Sequence, residues 1–297
     1  MQRFTALFEE IDTTNRTNEK VAALKRYFQV VGPGDGAWAL FFLTGHRLPA
    51  PVKTRQLRSW AGEFAGFPEW LVDQCYNRVG DLAETLALLL PPPQNPTTGP
   101  EGLREWIETL VQPLREKTDS EKRSLLYKTW DQLNTGERFV FNKLITGAFR
   151  MGVQRNLVVR GLAEAVAMEP AVLEHRLMGN WRPQARDFER ICDPESQLAD
   201  PAQPYPFFLA YPVEERSTSK SGERVETNLE ALLGKPKDWQ VEWKYDGIRA
   251  QLIYRKGKVM LWSRGEEMMA ERFPEVVQAA QHLPDGTVLD GELLAWK

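Results

Sequence analysis

The segment VEWKYDGIRAQL, residues 241–252, sets Lys244 between Trp243 and Tyr245 and follows it with Asp246-Gly247 and Arg249. A solvated lysine needs no such setting. A lysine that attacks an electrophile must first lose its proton, and burial and nearby cations both disfavour the ammonium. Asp246-Gly247 is a tight-turn dipeptide, so the chain folds back past Lys244 and returns Arg249 toward it. The arginine fork is always charged and can bind two phosphate oxygens at once. A lysine nucleophile beside phosphate-binding arginines points to attack on phosphorus, giving a phosphoramidate. Taken alone, the pattern Lys-x-Asp-Gly-x-Arg also describes a surface hairpin.

Two later segments bear on the choice. WSRGEE places Arg264 beside Gly265 at a strand end, and VLDGELLAW places Asp290 and Glu292 two apart, on one face of a strand. Paired acids there need a cation or hydroxyls to satisfy them, such as magnesium or a ribose. Each segment could be a surface ion pair. Three of them in this order argue for one site.

A second kind of chemistry is legible upstream. KLITGAFRMGVQRNLVVR carries Lys143, Arg150, Arg155 and Arg160 and no acid, with Gly147 and Gly152 bracketing Arg150. Glycines let backbone N–H groups approach a partner, and the helix start near Asn156 favours an anion. A duplex backbone is a row of anions. A solvated basic turn with a C-capping glycine fits the same residues. TGHRLPAPVKTRQLR adds Arg47, Lys53, Arg55 and Arg58. No base-reading motif accompanies these stretches, so nucleic acid would be gripped by backbone and shape.

The elements that must position these residues differ along the chain. Before about residue 205 the pattern is helical. Val21, Leu24 and Phe28 share one face, as do Leu126, Trp130 and Leu133, then Phe141, Leu144, Ile145 and Ala148, then Val159, Leu162, Ala163 and Val166. Thr118 with Glu121, and Asn134 with Glu137, stand at capping-box spacing. DLAETLALLL ends at Pro91, and Pro170 opens a later helix. Residues 191–205 read as a linker. Beyond them WQVEWKYDG and IRAQLIYRKGKVMLWSRG read as strands, the second folding into a hairpin at Lys256-Gly257, with a short helix in ERFPEVVQAAQHL and a strand in GTVLDGELLAW.

The 297 residues suffice for two domains. A net charge of −3 means that any nucleic-acid surface is a local patch. The two cysteines, Cys75 and Cys192, make neither a disulfide framework nor a zinc site and fit a reducing cytosol. No signal peptide or membrane span is legible, so a cytoplasmic location away from membranes is expected, and a monomer is expected as well.

On these residues the chain resembles a family. EWKYDGIR, WSRGEE and VLDGELLAW resemble the first, Ia and third motifs of the covalent nucleotidyltransferases, and FNKLITGAFRMGVQRNLVVRGLAEA is similar to the DNA-binding domain of bacterial ATP-dependent DNA ligases. The resemblance covers most of the chain. It implies an all-α DNA-binding domain over residues 1–190, a linker over 191–205, and over 206–297 the start of an α+β adenylation domain with an antiparallel sheet. It implies Lys244 as the catalytic residue that takes AMP from ATP. Glu242 would help recognise adenine, Arg249 would lie near ribose and phosphate, and Arg264 would contact phosphate. Glu292 would lie near the ribose and the magnesium ion. Lys143, Arg150, Gly152, Arg155 and Arg160 would contact DNA, and Asp246 and Asp290 would be supporting residues. The implied substrate is a nicked duplex.

The chain ends at Lys297, five residues after Glu292, without the later motifs or the barrel of that family. A fragment of a longer ligase, poor at sealing nicks alone, is therefore expected. The rival readings are an RNA ligase or capping guanylyltransferase, an NAD-dependent ligase, and a DNA-binding or nick-sensing remnant without catalysis.

Overall fold

The computed structural model describes residues 1–96, 102–147, 152–178, 181–195, 203–207, 233–239 and 243–295. The chain divides into two compact units, Met1–Leu198 and Ala199–Lys297.

Every regular element described in the first unit is helical. In chain order these are α1 (Gln2–Asp12), α2 (Thr17–Val30), α3 (Pro33–Leu43), α4 (Thr54–Ala65), α5 (Glu69–Val79), α6 (Leu82–Leu89) and the short α7 (Leu103–Glu105). A π-helical turn, Trp106–Val111, prolongs α7. Then come α8 (Asp119–Gln132), α9 (Thr135–Thr146), α10 (Arg155–Val166), α11 (Pro170–Arg176) and α12 (Ala185–Cys192).

The helix boundaries follow from local chemistry. Thr118 Oγ1 accepts from the Glu121 N–H while Glu121 reaches back to the Thr118 N–H at 2.8 Å, so both expected partners form a capping box. Asn134 and Glu137 do the same at α9, with contacts of 2.9 and 3.2 Å. Each such cap is worth about 1 kcal/mol. The predicted apolar stripes turn inward: Leu24, Trp130, Phe141 and Leu162 are buried in one continuous core. Ala148 lies outside the described residues. Where α2 crosses α10, a Cβ on Gly161 would stand 2.5 Å from the Leu24 Cβ, so only glycine permits this approach.

One buried arginine ties loop to helix. Arg138 Nε donates to the Trp130 carbonyl at 2.7 Å, and Nη1 donates to the Pro91 carbonyl at 2.6 Å. The proline run that ends α6 is thereby pinned beside α8 and α9.

The second unit carries a three-stranded antiparallel sheet in the order β2-β1-β3, formed by β1 (Ile248–Arg255), β2 (Lys258–Ser263) and β3 (Val288–Leu293). The hairpin turns at Lys256-Gly257 as expected. Both residues have left-handed φ, +50° and +72°, which suits the twist of a two-residue hairpin. One sheet face buries Ala250, Leu252 and Leu261 beneath α13 (Pro274–Ala280). The opposite face holds Ile253, Met260 and Trp262.

The expected strand over WQVEWKYDG is not found in its described part. Residues 243–247 pair with no strand among the described residues, and β1 starts only at Ile248. The Gly247 N–H goes to the Glu292 carboxylate rather than to a ladder carbonyl.

Candidate active site

The chemistry-bearing residues of the second unit gather at one end of β1. Register pairs Arg249 with Glu292 and Gln251 with Asp290, so these four alternate side chains stand on one face. The Gly247 N–H donates to Glu292 Oε1 at 3.1 Å, which fastens the Asp246-Gly247 turn to β3. The Arg249 guanidinium meets Asp290 in a two-pronged ion pair. The Arg264 N–H donates to the Arg249 carbonyl at 3.2 Å, so the WSRGEE turn leaves β2 beside the same point of β1. Ser263 closes that turn: its Oγ accepts from the Glu267 N–H at 3.1 Å.

Lys244 stands just ahead of this cluster and is exposed. The expected burial between aromatic rings is not there. Trp243 is 84% exposed and Tyr245 54%, so neither ring buries the lysine. Glu242 lies outside the described residues.

The first unit brings together two basic stretches that are distant in sequence. Gly147 ends α9 in the left-handed conformation, and a Cβ there would lie 3.2 Å from the Leu48 carbonyl. A cavity of about 370 Å³ opens at this contact, lined by Arg47, Leu48, Pro49, Ala50, Thr146 and Gly147. Gly152 is also left-handed, and its carbonyl accepts from Lys20 Nζ at 2.7 Å.

Three of the basic residues are engaged by acids. Arg155 approaches Glu174 at 3.1 Å, Arg160 approaches Glu164 at 3.3 Å, and Arg58 meets Asp73 at 2.7 Å. Arg47, Lys53 and Arg55 are exposed. Arg150 lies outside the described residues. Lys143 departs most from expectation. Its side chain is buried, and its ammonium is the inner half of an ion pair with Asp81, the N-cap of α6. A lysine held this way braces α9 against α6 and is not presented to a phosphate.

The comparisons match both units. The DNA ligase N terminus model matches residues 1–163, and the ATP dependent DNA ligase domain model matches residues 219–297. The chain belongs to the ATP-dependent DNA ligase family. Among curated relatives, a probable DNA ligase of Koribacter versatilis is 27% identical over all of this chain and half of its own length. A probable DNA ligase of Opitutus terrae is 27% identical over 99% of the chain and 35% of itself. The DNA ligase of Archaeoglobus fulgidus is 22% identical over 99% of the chain and 54% of itself. The chain thus spans about half or less of these ligases.

Two features of this ligase sequence escaped the reading of its motifs. Gln251 and the Tyr205–Phe207 segment face Arg249's side of the sheet. The only available signal was a polar residue at an inward position of β1. Magnesium has no ready cage among the described residues. No group of three His, Cys, Asp or Glu side chains there could hold a metal ion. Both Asp290 oxygens serve Arg249, and one oxygen of Glu292 serves Gly247. These residues do not fit a resident ion. Among the described residues, no helix is long and apolar enough to cross a membrane.

Proposed function

We propose that this chain carries the nucleotide-accepting and DNA-gripping parts of a ligase that seals nicks in duplex DNA through a lysyl-AMP intermediate. The Lys244 amine attacks the α-phosphorus of ATP. A P–N bond forms, the P–O bond to pyrophosphate breaks, and pyrophosphate leaves. AMP then passes to the 5′-phosphate at a nick, which breaks the P–N bond and returns the amine. Finally the 3′-hydroxyl attacks that phosphate, loses its proton and expels AMP.

The observation that carries this reading is the convergence at one end of β1. Gly247, three residues after Lys244, is tied to Glu292, Arg249 to Asp290 and Arg264 to the Arg249 main chain. The Arg249 guanidinium, held by Asp290, and the main chain of Arg264 thus lie near the turn that follows the nucleophile, where pre-positioned charge favours phosphoryl chemistry. Glu292 is suited to a ribose hydroxyl through its remaining oxygen. In the first unit, exposed Arg47 at the Gly147 contact, with exposed Lys53 and Arg55 further along the same stretch, supports a backbone grip on duplex DNA.

The test is covalent labelling. Incubation of the complete parent protein with ATP labelled at the α-phosphate and magnesium should leave an acid-labile adduct on the wild type and none on Lys244→Ala. Equal labelling of the two would exclude Lys244 as the nucleophile. GTP in place of ATP separates a ligase from a capping enzyme, which would label with GTP.

A further inference from the structure

Gln251 lies in the middle of β1, two residues from Arg249, and is 3% exposed. A buried amide must find partners for both of its ends. Here both ends go to one residue's main chain. The Tyr205 N–H donates to Gln251 Oε1 at 2.6 Å, and Gln251 Nε2 donates to the Tyr205 carbonyl at 3.2 Å. The side chain thus imitates the edge of a strand and docks an extended segment onto the sheet face. The docking is reinforced from Arg255, whose Nη2 donates to the Tyr205 hydroxyl at 2.5 Å and whose guanidinium lies 5.4 Å from the Tyr205 ring centre.

The consequence falls on Arg249. With Tyr205 fixed, Phe207 comes within 6.0 Å of the Arg249 guanidinium, measured to the ring centre. Asp290 holds the same guanidinium through two hydrogen bonds. Arg249 is therefore held by a carboxylate and by an aromatic ring. Gln251 anchors the backbone two residues before that ring.

We infer that Gln251 is a positioning residue for the nucleotide: by docking Tyr205 it places Phe207 against Arg249 and so sets how that guanidinium meets bound ATP. This inference rests on the lysyl-AMP reading above. A residue acting this way shapes ground-state binding of the nucleotide more than the chemical step.

The experiment compares wild type, Gln251→Leu and Phe207→Leu by two readouts. One is amide hydrogen exchange at Tyr205; the other is the ATP concentration giving half-maximal labelling of Lys244. In Gln251→Leu, Tyr205 exchange should accelerate at least about tenfold, as expected when a hydrogen bond is lost. Its half-maximal ATP concentration should rise about tenfold with the limiting labelling rate changed less than about twofold. Phe207→Leu should raise the ATP requirement similarly while leaving Tyr205 exchange as in wild type. A wild-type ATP requirement in either folded variant overturns the inference. If Gln251→Leu does not fold, Phe207→Leu decides alone by the same criterion. Absence of label on wild type would instead sink the lysyl-AMP reading. Tyr205 exchange then still decides the docking, and equal exchange in wild type and Gln251→Leu overturns it.

Discussion

Arg249 and Asp290 form a two-pronged pair across neighbouring strands, Nε to Oδ1 at 2.6 Å and Nη2 to Oδ2 at 2.8 Å. Such geometry fixes the plane of a guanidinium as well as its position. Asp290→Asn keeps the shape but removes one acceptor and the charge. Labelling of Lys244 by ATP should fall at least about tenfold. The pair is partly exposed, so stability should drop by no more than about 1 kcal/mol. Chemical denaturation alongside the labelling assay checks both. Unchanged labelling would show that Arg249 needs no such anchor.

Lys143 and Asp81 lead to the opposite expectation. Asp81 Oδ1 caps α6 by accepting from the Glu84 N–H at 3.1 Å, while its other oxygen receives the buried Lys143 ammonium. Asp81→Ala removes a cap and strands a charge, and should cost about 3 kcal/mol. Lys143→Met should lower stability less, because it removes the charge that needed a partner. Neither variant should change the salt dependence of duplex binding. A flatter salt slope in Lys143→Met would restore this residue to the DNA surface.

The basic surface itself is testable through counterion release. The chain should bind duplex DNA with little sequence preference, and affinity should fall steeply with salt. Arg47→Ala, Arg55→Ala and Arg150→Ala should each weaken binding similarly on unrelated sequences and reduce the salt slope by about one, whereas Arg155→Ala, whose side chain is paired with Glu174, should change it less. Fluorescence anisotropy with several duplexes over a salt series measures this. A strong preference for one sequence would contradict a grip made through phosphates.

Asp131 gives a pH dependence of defined sign. It accepts from the Asn95 side chain at 2.6 Å and from the Gln94 N–H at 2.9 Å, and these bonds hold its carboxyl below the usual range. A carboxyl depressed on folding adds stability above its unfolded value, about 3.9, and loses it as pH falls through the folded value. Wild type should therefore exceed Asp131→Asn in stability at neutral pH, with the gap closing below about pH 4. Urea midpoints measured from pH 7 down to pH 3 would show it. A gap independent of pH would mean that the carboxylate charge contributes nothing here.

Much of this architecture was legible because its causes are local. Capping at Thr118 and Asn134 depends on a residue three places away, and the hairpin at Lys256-Gly257 on two adjacent dihedral angles. The face shared by Asp290 and Glu292 follows from the period of a strand. These features need no knowledge of what packs where. The burial of Lys143 was decided by a partner 62 positions away, and the docking of Tyr205 by one 46 positions away. A charge run reads the same whether its lysine meets solvent or an N-cap aspartate, and an aromatic beside Lys244 reads the same whether it covers the amine or points outward. Sequence by itself determined which residue types stand at which spacing, and hence the chemistry available. Tertiary structure alone decided which side chains are already engaged, because burial and pairing are settled by surfaces that distant segments bring together.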